Sequence, residues 1–225
     1  MTRPGRLAVL AACAVLALLT AWYAGSRFIP STPVPSPGSV RLGPDAGADV
    51  AGYLARLPAD LPPPGVVTLA LVQLTAEQPA PVAVATSAGT TPVIAVFRVP
   101  VPRVQTALRF EPLDPGVPGA TAVVTAQERA RLAAAADADR LTGRPRAVAA
   151  AEAAALAVPG CPCVLALVVR ADRAGLETVA ARPGVRAVQA APPDTTVREL
   201  ALAPLLPGQT RRADPLPDDG PVPPG

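Results

Sequence analysis

The stretch Cys163–Ala190, CVLALVVRADRAGLETVAARPGVRAVQA, carries the clearest structural signal in the 225-residue chain. Val164–Val169 is a continuous apolar run, short for a helix and suited to a strand buried on both faces. Asp172 follows where a helix N-cap belongs, with a carboxylate able to accept from first-turn N–H groups. Leu176, Val179 and Ala180 recur at helical spacing, and Pro183-Gly184 stops the helix. Val185–Ala190 then returns as a strand. This predicts a β-α-β unit, half of a ferredoxin-like pattern, whose helix covers one sheet face. Its expected core is Val164, Leu165, Leu167, Val169, Leu176, Val179, Val185 and Val188.

Working back from that unit, Thr125-x-x-Glu128 reads as a capping box opening an alanine-rich helix to about Leu141. Gly143 and Pro145 break it, and Pro145 suits the first turn of a second helix to about Ala157. Asp49–Leu57 is a short helix closed by Pro58, and Val66–Leu74 is a strand. Val82–Thr86 and Val93–Val101 flank Ser87-Ala88-Gly89-Thr90 and read as a hairpin, with Pro100 and Pro102 ending its second arm. Val104–Phe110 is a further short strand. The fold class expected is α+β: one domain, residues 45–191, with a mainly antiparallel sheet and helices on one face. Tyr53, Phe97 and Phe110 are expected to fill its core.

The two ends read differently. Arg3 and Arg6 precede Leu7–Tyr23, a run of 17 residues without a charge. At ~1.5 Å per residue it reaches about 25 Å, the short end of what spans a bilayer. Trp22 and Tyr23 suit the membrane interface, and the arginine placement favours a cytoplasmic N-terminus with the bulk of the chain outside. A cleavable signal peptide is the alternative, although bulky Trp22 falls where cleavage after Ala24 wants a small residue. Leu10-Ala11-Ala12-Cys13 matches a lipobox by letters, but the apolar run continues past the cysteine, so Cys13 reads as a small residue in lipid. Residues 1–29 are thus assigned to the N-terminus and transmembrane anchor. Residues 30–44 are assigned to a Pro-rich spacer of extended reach. Residues 192–225, with nine prolines in 34 positions, are expected to be largely disordered, docked at most by Val197–Leu206.

This layout resembles single-pass exported proteins of high-GC actinobacteria, a group with no function attached to it. The closing Gly184-Val185-Arg186-Ala187-Val188, after a short helix, is similar to the end of the inhibitor-type prodomains of secreted subtilisin-like proteases. That second likeness covers about 30 residues and implies shared architecture only.

Composition narrows the chemistry. The chain has no His, and all 20 of its basic residues are Arg. Histidine-based triads, histidine-ligated metals, Schiff bases and a P-loop lysine are therefore excluded. Arg3, Arg6 and Arg27 fall in the first 30 residues with no acid, so the rest of the chain balances, and no nucleic-acid footprint remains. Cys161-Pro162-Cys163 is the sharpest local feature. Outside the cytoplasm the pair can close as a structural staple, or serve as a weak redox candidate through thiol–disulfide exchange. With no second pair and no His, four zinc ligands cannot be assembled within one chain. Asp137 and Asp139, two apart on a helix, fall on different faces and read as solvated; Asp194-Thr195-Thr196 reads as a turn. No catalytic residue, cofactor or metal is expected. The expected role is a non-enzymatic, membrane-anchored extracytoplasmic interaction module of the cell envelope. Its partners would be the bilayer, through Leu7–Tyr23, and another envelope protein. The alternative is a thiol–disulfide protein.

Overall fold

A computed structural model describes residues 37–225 and, before them, Val15 alone. The anchor assigned to Leu7–Tyr23 therefore lies, but for Val15, outside the described residues. Among the described residues no helix is long and apolar enough to cross a membrane.

From residue 37 on, the described residues form seven strands and five α-helices in chain order: β1 (Val40–Leu42), α1 (Val50–Arg56), β2 (Thr68–Gln78), α2 (Ala80–Thr86), β3 (Thr91–Phe97), β4 (Arg109–Pro112), α3 (Gly119–Arg140), α4 (Gly143–Leu156), β5 (Val164–Ala171), α5 (Arg173–Ala180), β6 (Val185–Ala190) and β7 (Leu200–Leu202). A five-stranded sheet runs in the order β4-β3-β5-β2-β6, antiparallel throughout, and β1 pairs with β7 in a separate parallel ladder. The class is α+β with a mainly antiparallel sheet. The predicted β5-α5-β6 unit is split, because β2 lies between its two strands. β2-α2-β3 is split in the same way around β5, so the two units interleave as in a ferredoxin-like sheet.

Local chemistry accounts for most of these elements. The Asp172 carboxylate accepts from the Gly175 amide at 2.9 Å and starts α5, while Asp49 accepts from Gly52 at 2.6 Å and starts α1. Ala122, Ala126, Ala130 and Ala134 form a buried stripe with a four-residue step along α3, whose small side chains let α4 and the sheet approach closely.

The hairpin expected around Ser87–Thr90 is not formed. Its first arm is α2, with Pro81 in the first turn and Ala80 and Ala83 buried. A short Ala/Val run carries no period that separates strand from helix, and proline at a first turn tipped the balance. Thr125 does not cap α3, which begins six residues earlier, after Pro118. The strand expected at Val104–Phe110 is shifted to Arg109–Pro112, at the sheet edge. Phe110 on it is 41% exposed rather than core, whereas Tyr53 and Phe97 are buried.

One sheet face, with Val72, Phe97, Leu167 and Val169, packs against α2–α5, and Leu176 and Val179 of α5 share that core. Val164, Leu165 and Val188 are buried as well, and Val185 is half-buried. Helices on one face only was too simple an expectation, because the second face is buried too. The β1–β7 ladder covers Leu69, Leu71, Val96 and Val168, and α1 lies over Ala187 with Leu205 and Ala213. Val40–Leu42, assigned to the spacer, is thus a strand, and the compact unit is Ser36–Gly225 rather than 45–191.

A buried polar chain ties the second face together. The Leu205 amide donates to Gln73 Oε1 at 2.7 Å, Gln73 Nε2 donates to the Tyr53 hydroxyl at 2.8 Å, and that hydroxyl donates to Gln189 Oε1 at 2.8 Å. Burial pushes the Tyr53 phenol above its ordinary pKa. Replacing Tyr53 by Phe strands a buried amide donor and should cost about 1–3 kcal/mol, read as a lower denaturant midpoint at unchanged slope.

The C-terminal segment corrects another expectation, since residues 192–225 lie along the domain. Arg103 pairs with Asp219, Arg144 pairs with Asp218 at 3.0 Å, and the Gly220 amide donates to the Arg103 carbonyl at 2.7 Å. A Cβ on Gly220 would collide with the backbone of Pro102 and Arg103, so only glycine permits this approach. Composition suggested disorder, but the segment is held by partners more than 70 residues away in sequence. Asp218 is held below the ordinary carboxylate range by the Gln105 amide and then by Arg144, and Asp219 by Arg103. Depressed values mean that this attachment is complete above the ordinary range, about 4, and is lost as pH falls through the folded-state values. Amide exchange at residues 216–222 should accelerate in acid before that of β2 or β5.

Candidate functional site

The redox candidates Cys161 and Cys163 sit in the turn between α4 and β5 and are joined as a disulfide, with Cα atoms 5.3 Å apart. Cys163 is fully buried and Cys161 is 5% exposed. The Cys163 carbonyl accepts from the Arg98 amide at 2.8 Å, so the ring is built into the sheet margin. Exchange needs an attacking thiolate in line with the sulfurs, and this burial obstructs it. Asp137 is not simply solvated, because it pairs with Arg109 at 3.0 Å and also with Arg140. Asp194 is exposed, with a positive φ of 63°, in the turn expected there.

A concavity runs along β6, the outermost strand on its side of the sheet. It encloses about 410 Å³ between α5 on one side and α1 with the following turn on the other. Leu54, Leu57 and Leu61 form one wall, Ala180 and Ala181 the other, and Val188 the floor. The floor residues are themselves buried, with Val188 5% exposed. The Ala191 amide donates to the Leu69 carbonyl at 2.8 Å, which makes Leu69–Ala191 a hydrogen-bonded pair. Alternation makes Leu71–Gln189 and Gln73–Ala187 the next two, so the N–H and C=O groups of Val188 and Ala190 point away from β2.

Register then slips between Gln73 and Leu74, where β6 carries Arg186 as an extra residue. The bulge turns Arg186 onto the same side as Ala187. There it donates to the Leu206 carbonyl at 2.9 Å and to the Gln209 carbonyl. Among the described residues no carboxylate pairs with it, and burial lowers its pKa from the ordinary arginine value. By contrast Arg173, on the α5 wall, is matched by Glu177 at 2.7 Å. The groove therefore offers leucine and alanine walls, the matched Arg173–Glu177 pair on its α5 side, and Arg186 without a carboxylate partner among the described residues.

Sequence reasoning missed this site. It placed Val185–Ala190 as a strand and Val188 in the core, but edge status depends on strand order. Only the Leu54, Leu57 and Leu61 spacing ahead of the Pro62-Pro63-Pro64 break hinted at an apolar wall there.

A second cleft, about 360 Å³, lies between β4, α4 and the C-terminal segment. Its charged groups, Arg109, Glu152, Asp137, Arg144 and Asp218, are matched to one another. Among the described residues no cluster of metal-ligating side chains occurs. Comparison with protein-family models, with curated proteins and with solved structures finds no match to this chain.

Proposed function

We propose that this chain is a membrane-anchored extracytoplasmic protein of the cell envelope whose folded part is a non-enzymatic module for binding another envelope protein. The observation that carries the binding half of this reading is the groove along β6, walled by leucines and alanines and bordered by Arg186, which has no carboxylate partner among the described residues. Support for the location comes from the uncharged run Leu7–Tyr23, the arginines before it, and the resemblance in layout to exported actinobacterial proteins.

The alternative, a thiol–disulfide protein working through Cys161 and Cys163, draws on their pairing but is disfavoured by the burial of both. If both cysteines titrate as free thiols in the oxidised native chain, or if the double serine variant behaves as wild type in cells, that alternative is removed.

Two measurements test the main reading. Protease added to intact spheroplasts should digest residues 37–225, while carbonate washing leaves the anchor fragment in the membrane; protection from protease reverses the topology. A photoreactive residue at Ala180 should give a discrete adduct with one envelope protein, and one at Glu128, on the exposed side of α3, should not. Equal labelling at both positions, or none at either, counts against a binding module.

A further inference from the structure

We propose that the surface on which residues 217–222 lie is a recognition site for the same segment of a second copy, the chain's own segment being its exchangeable occupant. The seat shares no residue with the β6 groove, and the inference goes beyond the reading of that groove.

The seat reads three consecutive residues. The Asp218 carboxylate accepts from the Gln105 amide and from Arg144 Nη2, both at 3.0 Å. The Asp219 carboxylate accepts from Arg103 Nε at 2.7 Å and from Nη2 of the same guanidinium. Gly220 uses both of its backbone groups. Its amide donates to the Arg103 carbonyl, and its carbonyl accepts from Arg144 Nη1 at 3.0 Å. A Cβ at 220 collides with the Pro102 carbonyl and with Arg103, so the third position must be glycine. Two guanidiniums and a backbone amide in fixed places select adjacent carboxylates by geometry as well as charge. Asp218-Asp219 is the one Asp-Asp step in the chain, so the segment of a second copy that fits is this same segment.

The hold on the segment is of a kind that opens. The side chains of Arg103 and Asp219 are 61% and 62% exposed, and Arg144 with Asp218 is open to water as well. Ion pairs so placed add little to stability. Among the described residues, 214–219 make no backbone–backbone hydrogen bond, and within 217–222 only Gly220 is buried, with Val222 half-buried against the main core. Such a segment detaches by local opening while the sheet stays folded. Its upstream tether is firmer, since Ala213 exchanges backbone bonds with Gly47 and Ala48. Between tether and seat, residues 214–217 reach about 13 Å when extended, and Pro215 and Pro217 keep them from folding back tightly. A detached segment therefore projects toward a neighbouring copy. Reciprocal exchange places each copy's Asp218 and Asp219 on the other's Arg144 and Arg103, a two-fold contact that closes at two copies.

The test uses the full-length chain in detergent micelles, as a donor and an acceptor. The donor, Arg103→Glu with Arg144→Glu, keeps its segment but repels it from its own seat. The acceptor, Gly220→Val, keeps the seat but carries a segment that collides with it; Asp218→Lys with Asp219→Lys is a second acceptor should valine unfold the chain. Each variant alone should be monomeric and melt near the wild type. In a mixture, tagged donor should retain acceptor about tenfold or more above either variant paired with itself. Adding the two arginine replacements to the acceptor should abolish retention. A photoreactive residue at Pro221 of the otherwise wild-type chain should link copies increasingly with concentration, at residue 103 or 144–150. A labelled peptide of residues 214–225 should bind the acceptor about tenfold more tightly than the wild type, whose seat is filled, and asparagine at both aspartates should weaken it. No retention in the mixture, retention indifferent to the arginine replacements, or links confined to one chain at every concentration would overturn the proposal. Peptide binding without donor retention would give the seat to a segment of another protein, and overturn the second copy as occupant. An acceptor that dimerises by itself does the same.

Discussion

Replacing Leu176 by Asp should destabilise the domain by about 4 kcal/mol or more, lowering the melting temperature by about 10 °C or unfolding the chain outright. Leu176 is fully buried among Val72, Val169 and Val179, on the face of α5 that meets β2 and β5. A carboxylate there has no cation to answer it, and protonating it still leaves a polar group in an apolar layer. The loss also removes the packing of a whole leucine side chain, which adds a cavity cost. Ala180→Asp, one turn on but facing solvent, should leave the melting temperature within a degree or two. If Leu176→Asp and Ala180→Asp melt alike, α5 does not pack on the sheet as described.

The part of the fold legible in sequence is the part whose determinants are local. Cys163–Ala190 combines an uninterrupted apolar strand, an N-cap aspartate, a helical apolar spacing and a Pro-Gly stop, each acting over a few residues. α1 was legible for the same reason, through Asp49 and Pro58. What failed were features decided by distant partners. Ala80–Thr86 has a composition that either element tolerates, and Pro81 in the first turn, with Ala80 and Ala83 buried in the core, settles it as a helix. Val40–Leu42 has no strand signal beyond three residues until Leu200–Leu202 lies beside it. The proline-rich end looked disordered because its stabilising contacts, Arg103, Gln105 and Arg144, are spread through other elements.

The candidate site falls on the illegible side of this division. Apolar residues at 54, 57 and 61 and a strand at 185–190 can both be read from sequence, yet neither says that β6 ends the sheet. The sheet order puts Val188 on the outermost strand, and the one-residue slip opposite Gln73 turns Arg186 toward the carbonyls of Leu206 and Gln209. Cys161 and Cys163 were conspicuous in sequence because cysteine is rare in this chain. Their setting, inside the main core at the end of α4, is that of a staple.

Glu152→Ala should be the other severe substitution, at about 3–5 kcal/mol, because it breaks a buried ion pair from one side only. Glu152 is 2% exposed, and both of its oxygens are used. Oε1 accepts from the Ala107 amide at 2.6 Å, and Oε2 meets Arg109 Nη2 at 2.6 Å. Truncation orphans that amide and leaves Arg109, whose side chain is 9% exposed, with Asp137 as its remaining acid at 3.0 Å. Glu152→Gln should cost less, since the amide oxygen can still accept one of the two bonds. The decisive variant is the double replacement Glu152→Leu with Arg109→Met. Arg109 Nε is buried without a partner, so the pair does not fully repay the desolvation of its own charge. Removing both charges at once and filling their volume should therefore recover much of the loss, leaving the double variant more stable than Glu152→Ala in urea unfolding. A double variant as unstable as the sum of its parts would mean that Arg109 and Glu152 stabilise the fold through separate contacts, and that the bond between β4 and α4 is not what holds this corner together.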